Sequence, residues 1–282
     1  MRYCRAGIVI LIIFLAGFVF AEDNSLGFNR DNLTEGLLYV NKGNYELAKY
    51  YFKKGIKTNP NNSRYYEELG RVSLLVGDYK EALDLFEKAV KINPKEVRFY
   101  EDIGKANIYL GNYEKAISYF KKGIAVNPRI SSNYNGVGMS YKDLGNYNEA
   151  ILWFKQALRI DPRDSRSYDG LGRVYLELGN YKESETMFNE SIKRMKHFYY
   201  ACPYEGLGLL YLKQGKTEKA ERNYQKAIEL NPDIEYDKYK YLAIIFIKQR
   251  RFNEAKPLLK MYIKHYPNDA QAKELLRGIA KQ

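Results

Sequence analysis

Apolar and small residues return along this chain at a fixed interval. Phe52, Phe86, Phe120, Phe154 and Phe188 are spaced by 34 residues, and Tyr224 follows in the same role. Gly36, Gly70, Gly104, Gly138, Gly172 and Gly208 keep the same rhythm, as do Ala48, Ala82, Ala116, Ala150 and Ala220. Residues this small let two helices approach closely, and the aromatics then fill the space between neighbours. Polar punctuation follows the same ruler. Gly43, Gly77, Gly111, Gly145 and Gly179 are each followed by Asn or Asp and then Tyr. The glycine predicts a left-handed helix end, and the Asn or Asp predicts a side-chain cap on the next helix. In Asp78-x-x-Glu81, Asn146-x-x-Glu149 and Asn180-x-x-Glu183 the acid three residues on resembles a capping box. Asn59-Pro60, Asn93-Pro94, Asn127-Pro128 and Asp161-Pro162 predict the stops, because proline pushes its predecessor out of the α region.

Each unit therefore reads helix, tight turn, helix, stop. A single globular core has no reason to repeat its punctuation, whereas a stack of supersecondary units does. Seven units are predicted at 29–62, 63–96, 97–130, 131–164, 165–200, 201–235 and 236–267. The fifth is two residues longer than the ruler, with Lys196 where proline is expected. The seventh has Arg250 for the turn glycine and Ala243 for the packing glycine. Residues 268–282 form a capping helix that presents Ala272, Leu275, Leu276 and Ile279 on one face.

With six or more positions agreeing per unit, the chain resembles the tetratricopeptide repeat (TPR) family. The resemblance implies an all-α, right-handed α-α superhelix, a TPR solenoid, in which the first helix of each repeat lines a concave groove. It also implies a protein or peptide partner held in that groove.

The N-terminus is separate. Arg2 and Arg5 precede an uncharged apolar run from Ala6 to Phe20, and Val19-Phe20-Ala21 has a small-residue cleavage pattern. Residues 1–21 are read as a secretory signal and 22–28 as a short leader. The expected location is thus periplasmic or secreted after cleavage near Ala21. The alternative is an uncleaved N-terminal anchor, although the run falls short of the ~20 residues of a spanning helix. Loss of the signal removes Cys4 and leaves Cys202, read as a small apolar side chain in preference to a reactive thiol.

The net charge of +12 matters by its placement. Residues 236–282 hold 11 basic and 4 acidic residues, a balance of +7, whereas residues 22–235 carry +3. Lys238, Lys240, Lys248, Arg250, Arg251, Lys256, Lys260 and Lys264 form a candidate basic docking patch. Such a patch would steer an anionic envelope polymer or lipid headgroups to one end of the molecule.

Catalytic chemistry finds little support. His197 and His265 are the only histidines, and no CxxC or HExxH occurs, so no metal, cofactor or small-molecule substrate is expected. Gly170-Leu171-Gly172 and Gly206-Leu207-Gly208 lack the third glycine of a dinucleotide loop and the strand before it. Of the 28 tyrosines, sixteen are assigned to recurring packing positions, among them Tyr66, Tyr100, Tyr134, Tyr168, Tyr204 and Tyr239 in first helices. A nucleic-acid partner would require exposed aromatics interleaved with a continuous basic groove. The aromatic insertion at residues 196–203 is read as gap-filling in preference to partner contact.

The groove helices carry a more specific signal. Arg64, Glu67 and Arg71 share one helical face. The order base, acid, base returns at Arg98, Glu101, Lys105 and at Arg166, Asp169, Arg173, and is broken by Ser132, Asn135, Met139. A row of guanidinium groups suits carboxylates or phosphates through forked hydrogen bonds. These nine residues are the candidate partner-binding groove. In chaperone-binding TPR domains lysine and asparagine occupy groove positions where this chain has Glu67, Arg71, Glu101 and Lys105, so that clamp is not expected. The expected function is that of an exported, non-enzymatic interaction scaffold, with binding of an anionic polymer or lipid as the alternative.

Overall fold

The structure, a computed structural model, describes residues 31–195, 201–232 and 236–280. The predicted signal segment and leader, the first residues of the opening repeat, and residues 196–200 of the aromatic insertion at 196–203 lie outside these residues. Fifteen α-helices and no strand occur among the described residues. They are α1 (Asn32–Asn41), α2 (Tyr45–Thr58), α3 (Ser63–Val76), α4 (Tyr79–Ile92), α5 (Val97–Tyr109), α6 (Tyr113–Val126), α7 (Ser131–Asp143) and α8 (Tyr147–Ile160). There follow α9 (Ser165–Glu177), α10 (Tyr181–Arg194), α11 (Cys202–Lys213), α12 (Thr217–Leu230), α13 (Asp237–Lys248), α14 (Phe252–His265) and α15 (Ala270–Ile279). Two compact units divide within α9, an N-terminal one up to Gly170 and a C-terminal one from Leu171.

In the N-terminal unit, glycine sets how closely the helices pack. A Cβ placed on Gly104 would lie 2.6 Å from the Phe120 ring, and one on Gly136, in the next repeat, 2.5 Å from the same ring. Gly138 and Gly170 enclose Phe154 in the same way, at 2.8 and 2.4 Å. In the C-terminal unit Gly172 and Gly206 enclose Phe188 at 2.7 and 2.4 Å. Each of these rings is fully buried, a gain of about 1.5–3 kcal/mol apiece. The sixth repeat substitutes a ring for the second glycine: Tyr224 packs on Gly208 on one side and stacks against Tyr241, 5.6 Å away.

The turns inside the repeats are closed by backbone. Gly43, Gly77, Gly111, Gly145, Gly179 and Gly215 all have φ between 70° and 90°, and Arg250 adopts φ 59° at the equivalent place. The residue after each donates its N–H back across the last turn, as Asp78 does to the Ser73 carbonyl (2.8 Å) and Arg251 to Phe246 (2.8 Å). The side-chain caps expected from sequence are mostly not made. Asn44 accepts from Leu47 N–H at 3.2 Å, whereas Asp78, Asn112, Asn146 and Asn180 form no side-chain cap bond. Glu81, read as a capping-box acid, instead accepts from Ser73 Oγ at 2.8 Å and pairs with Lys49 at 3.4 Å.

The C-terminal unit ends as its apolar spacing predicts. Asp269 caps α15 by accepting from Ala272 N–H at 2.9 Å. Ala272 and Ile279 are buried, and Leu275 and Leu276 pack half-buried against the same core. The recurring tyrosines are less internal than expected: Tyr100 and Tyr239 are buried, but Tyr66, Tyr134, Tyr168 and Tyr204 are only half-buried.

Gly136→Ala should destabilise the N-terminal unit by about 1–3 kcal/mol, because a methyl there collides with the Phe120 ring. Gly278→Ala, with open space around it, should stabilise α15 by up to about 1 kcal/mol. Urea unfolding followed by circular dichroism measures both. A neutral Gly136→Ala would show that the ring is not clamped.

Candidate functional site

The first helices of successive repeats are joined by polar rungs. In the N-terminal unit Arg71 Nε donates to Asp102 Oδ2 (3.1 Å), Arg98 Nη1 stands 3.5 Å from Glu67, and Ser132 Oγ donates to Glu101 Oε2 (2.7 Å). Asn135 Nδ2 donates to Ser167 Oγ (3.0 Å), which donates in turn to Asp164 Oδ2 (2.7 Å). The offsets are 31 or 32 residues, so α3, α5, α7 and the start of α9 run parallel and present one face. Within the N-terminal unit the helices place Arg64, Glu67 and Arg71, Arg98, Glu101 and Lys105, and Arg166 and Asp169 along that face, but at different depths.

The acids lie lowest. Glu67 is 1 % exposed, and Glu68, Asp102 and Asp169 are also buried. Arg71 bridges them, with Nη2 2.9 Å from Glu67, Nη1 3.8 Å from Glu68 and Nε on Asp102. Lys105 reaches Glu101 at 2.6 Å and Asp102 at 3.7 Å. The leading base of each triplet stands out instead. Arg64 is exposed, and the side chains of Arg98 and Arg166 are 54 % and 41 % exposed. Arg98 is steadied by Glu96 (3.1 Å) and Arg166 by Asp164 (3.2 Å). Arg173, in the C-terminal unit, donates to the Cys202 carbonyl at 3.1 Å. The second base of each triplet is thus engaged in structure. The fourth repeat, read as a break, continues the rungs through Ser132 and Asn135 as neutral hydrogen bonds.

Burial raises the Glu67 carboxyl to about 7; Arg71 and Arg98 oppose this, and Glu68 and Asp102 add to it. Neither arginine meets Glu67 Oε1 with hydrogen-bond geometry, so the ion contacts offset only part of the desolvation. Glu101 goes the other way. Burial raises it, but Lys105 and the Ser132 hydroxyl prevail and hold it at about 2.

Sequence reasoning missed Glu68, Asp102, Asp164 and Ser167. A signal for the first two was present, since they occupy the repeat position that holds Gly136 and Gly170 in later units.

The basic docking patch requires correction. Lys238 is 1 % exposed, with Nζ 3.5 Å from Glu205. Lys240 pairs with Asp269 at 2.8 Å and lies over the Tyr262 ring. Arg251 pairs with Glu221 and Glu254, both at 2.7 Å, and stacks on Phe246. These three cations hold the C-terminal unit together and are not offered to a partner. Lys248, Arg250, Lys256, Lys260 and Lys264 remain exposed or half-exposed. Among the described residues no acidic, histidine or cysteine group could hold a metal ion, and no helix is long and apolar enough to cross a membrane.

Helix pairs stacked through enclosed aromatic rings define a repeat scaffold, and the comparisons place it. Family models described as tetratricopeptide repeat match residues 33–97, 73–136, 165–233 and 211–279, and a TPR repeat model matches 138–179. A tetratricopeptide repeat protein from Parabacteroides merdae ATCC 43184 is similar in structure, with TM-score 0.69 and 25% identity over 88% of this chain and 97% of that one. A thermophilic TPR protein of Thermus thermophilus gives TM-score 0.59 and 25% identity over 66% of this chain and 99% of that one. The APC/C hetero-tetramer Cut9–Hcn1 shares the fold at TM-score 0.71 and 17% identity, over 89% of this chain and 49% of that one. No curated protein matches the sequence. The chain belongs to the TPR family and has the all-α solenoid fold of about seven repeats with a closing helix. Proteins of this family are generally non-enzymatic and bind protein partners.

The pH dependence of the buried acids follows from their shifts. Glu67 has a folded pKa above its ordinary 4.5, so its stabilising, protonated form is fully present below about 4.5 and is lost as pH rises through about 7. Glu101 behaves oppositely, its ionised form contributing above about 4.5 and being lost as pH falls toward about 2. Glu67→Gln should therefore gain stability relative to wild type between about pH 5 and pH 8. Urea midpoints across that range measure it; a pH-independent difference would mean Glu67 does not titrate there.

Proposed function

We propose that this protein is an exported, non-enzymatic scaffold that holds an extended or helical segment of a partner protein against the first helices of its N-terminal unit. The observation that supports this reading is the layering of charge. Buried carboxylates hold the face together, while Arg64, Arg98 and Arg166 project their guanidinium groups to solvent on the same side. Exposed ion pairs contribute little to stability, typically ~0.2–1 kcal/mol, so a repeated outward arginine is better accounted for by a carboxylate-bearing partner. Export rests on the sequence of residues 1–21, a charged start followed by an apolar run and a small-residue cleavage pattern.

A photo-crosslinking amino acid at Met139, on the groove helix α7 between the arginine-bearing repeats, should capture a defined partner in the native cell. Arg64→Ala/Arg98→Ala/Arg166→Ala should abolish that crosslink with unchanged helicity. Persistence of the same crosslink in the folded triple variant would remove the arginines from the interface. Intact-mass analysis of the protein from its native compartment should give a chain beginning at Glu22. A membrane-bound chain that still starts at Met1 would replace the exported form with an anchored one.

A further inference from the structure

The loops between repeats in the N-terminal unit carry cations that neither ion pairing nor helix electrostatics explains. The parallel first helices put their N-termini, and the loops that feed them, on one edge. Lys95, Arg129 and Arg163 stand there at equivalent positions, 34 residues apart, just ahead of α5, α7 and α9. Lys91 and Arg159 precede Lys95 and Arg163 in the last turns of α4 and α8, and Lys57 holds the same place one repeat earlier at the end of α2. All six are exposed, and none makes an ion pair among the described residues. A cation in a last helical turn is favoured by the helix dipole, but one immediately before a helix N-terminus is disfavoured. Lys95, Arg129 and Arg163 therefore work against their own helices.

The acids of this edge offset them only in part, since Glu96 and Asp164 are paired with Arg98 and Arg166 while Asp31 and Asp161 keep their charge. Asp31 accepts from Thr34 N–H at 2.8 Å, Glu96 is taken by Arg98, and Asp164 by Arg166 and Ser167. Asp161 accepts the Arg163 N–H at 2.9 Å, just as Asn93 and Asn127 accept those of Lys95 and Arg129 at 3.3 and 3.0 Å. The three loops thus share one fixed geometry and hold their cations at a regular interval. Exposed apolar residues lie between them, Ile92 at 37 % and Val126 at 41 %.

We propose that this edge is a docking surface, separate from the groove, for an extended acidic segment of a partner protein lying across the loops after α4, α6 and α8. Fixed spacing favours a polypeptide over a lipid surface, whose mobile headgroups respond to total charge without needing a register. Packed helices lie ~8–10 Å apart and an extended chain advances ~3.3–3.6 Å per residue, so one acidic side chain about every third position meets one loop cation.

The test uses the full chain and a labelled synthetic peptide with glutamate at every third position, read by fluorescence anisotropy. Lys95→Glu/Arg129→Glu/Arg163→Glu should weaken binding about tenfold or more, whereas Lys80→Glu/Lys115→Glu/Lys182→Glu, an equal change in net charge at exposed positions elsewhere, should leave it nearly intact. A peptide of the same composition with its glutamates clustered should bind less well. Where the reversal lowers helicity, the corresponding glutamine variants give the same comparison. Equal loss in both triple variants would reduce the effect to bulk charge. Binding of phosphatidylglycerol vesicles through Lys95, Arg129 and Arg163 without peptide binding would assign the edge to a membrane, and either result overturns the proposal.

Discussion

An aromatic ring enclosed between two glycines is the contact on which the stack depends. Phe120, Phe154 and Phe188 each meet one glycine in their own repeat and a second in the repeat that follows. With no Cβ on either side, the helices approach until ring and backbone touch, and this fixes both the pairing within a repeat and the step to the next. The cost of glycine inside a helix, about 1 kcal/mol relative to alanine, is offset by burial of the whole ring. The positions of the polar groups on the groove side follow from that spacing.

On that side the same step brings residues 31 or 32 apart into hydrogen-bonding range. It sets Arg71 against Asp102 and Ser132 against Glu101. Burying carboxylates is unfavourable unless cations or hydroxyls answer them, and the answer differs between repeats. Glu101 is well compensated and stays ionised, whereas Glu67 shares Arg71 with Glu68 and Asp102 and holds its proton to near neutrality. The arginines left at the surface are therefore supported from beneath by the fold.

The repeat was legible because its contacts recur: glycine, alanine and phenylalanine at fixed intervals state who packs on whom. Three kinds of information were not. The Asn and Asp after the turn glycines look like caps, but a backbone bond such as Asn112 N–H to the Asn107 carbonyl (2.8 Å) closes the turn without their side chains. The base-acid-base triplets were visible as one face, yet spacing along one helix cannot say which member is buried, since Asp102 comes from the neighbouring helix. Lys238 illustrates the third case. Counted as surface charge, it lies at the buried position that Tyr65 and Phe99 fill in earlier repeats, with Glu205 from the preceding repeat beside it. A lysine can be recognised as internal only after its partner 33 residues away has been found.

The distribution of the second glycine also bears on how such a chain can be altered by duplication. Gly136 would let a duplicate of the fourth repeat receive the Phe154 ring as the fourth receives Phe120, although the Asn135–Ser167 hydrogen bond would not recur between the copies. Glu68 and Asp102 occupy the same place in the second and third repeats, and they need Arg71 within reach. Copying the third repeat alone would leave the second Asp102 without its arginine, because the unit before it would offer Lys105 at that place. The second and third repeats are consequently specialised neighbours with a fixed order, while a glycine at that place makes no such demand on the unit before it.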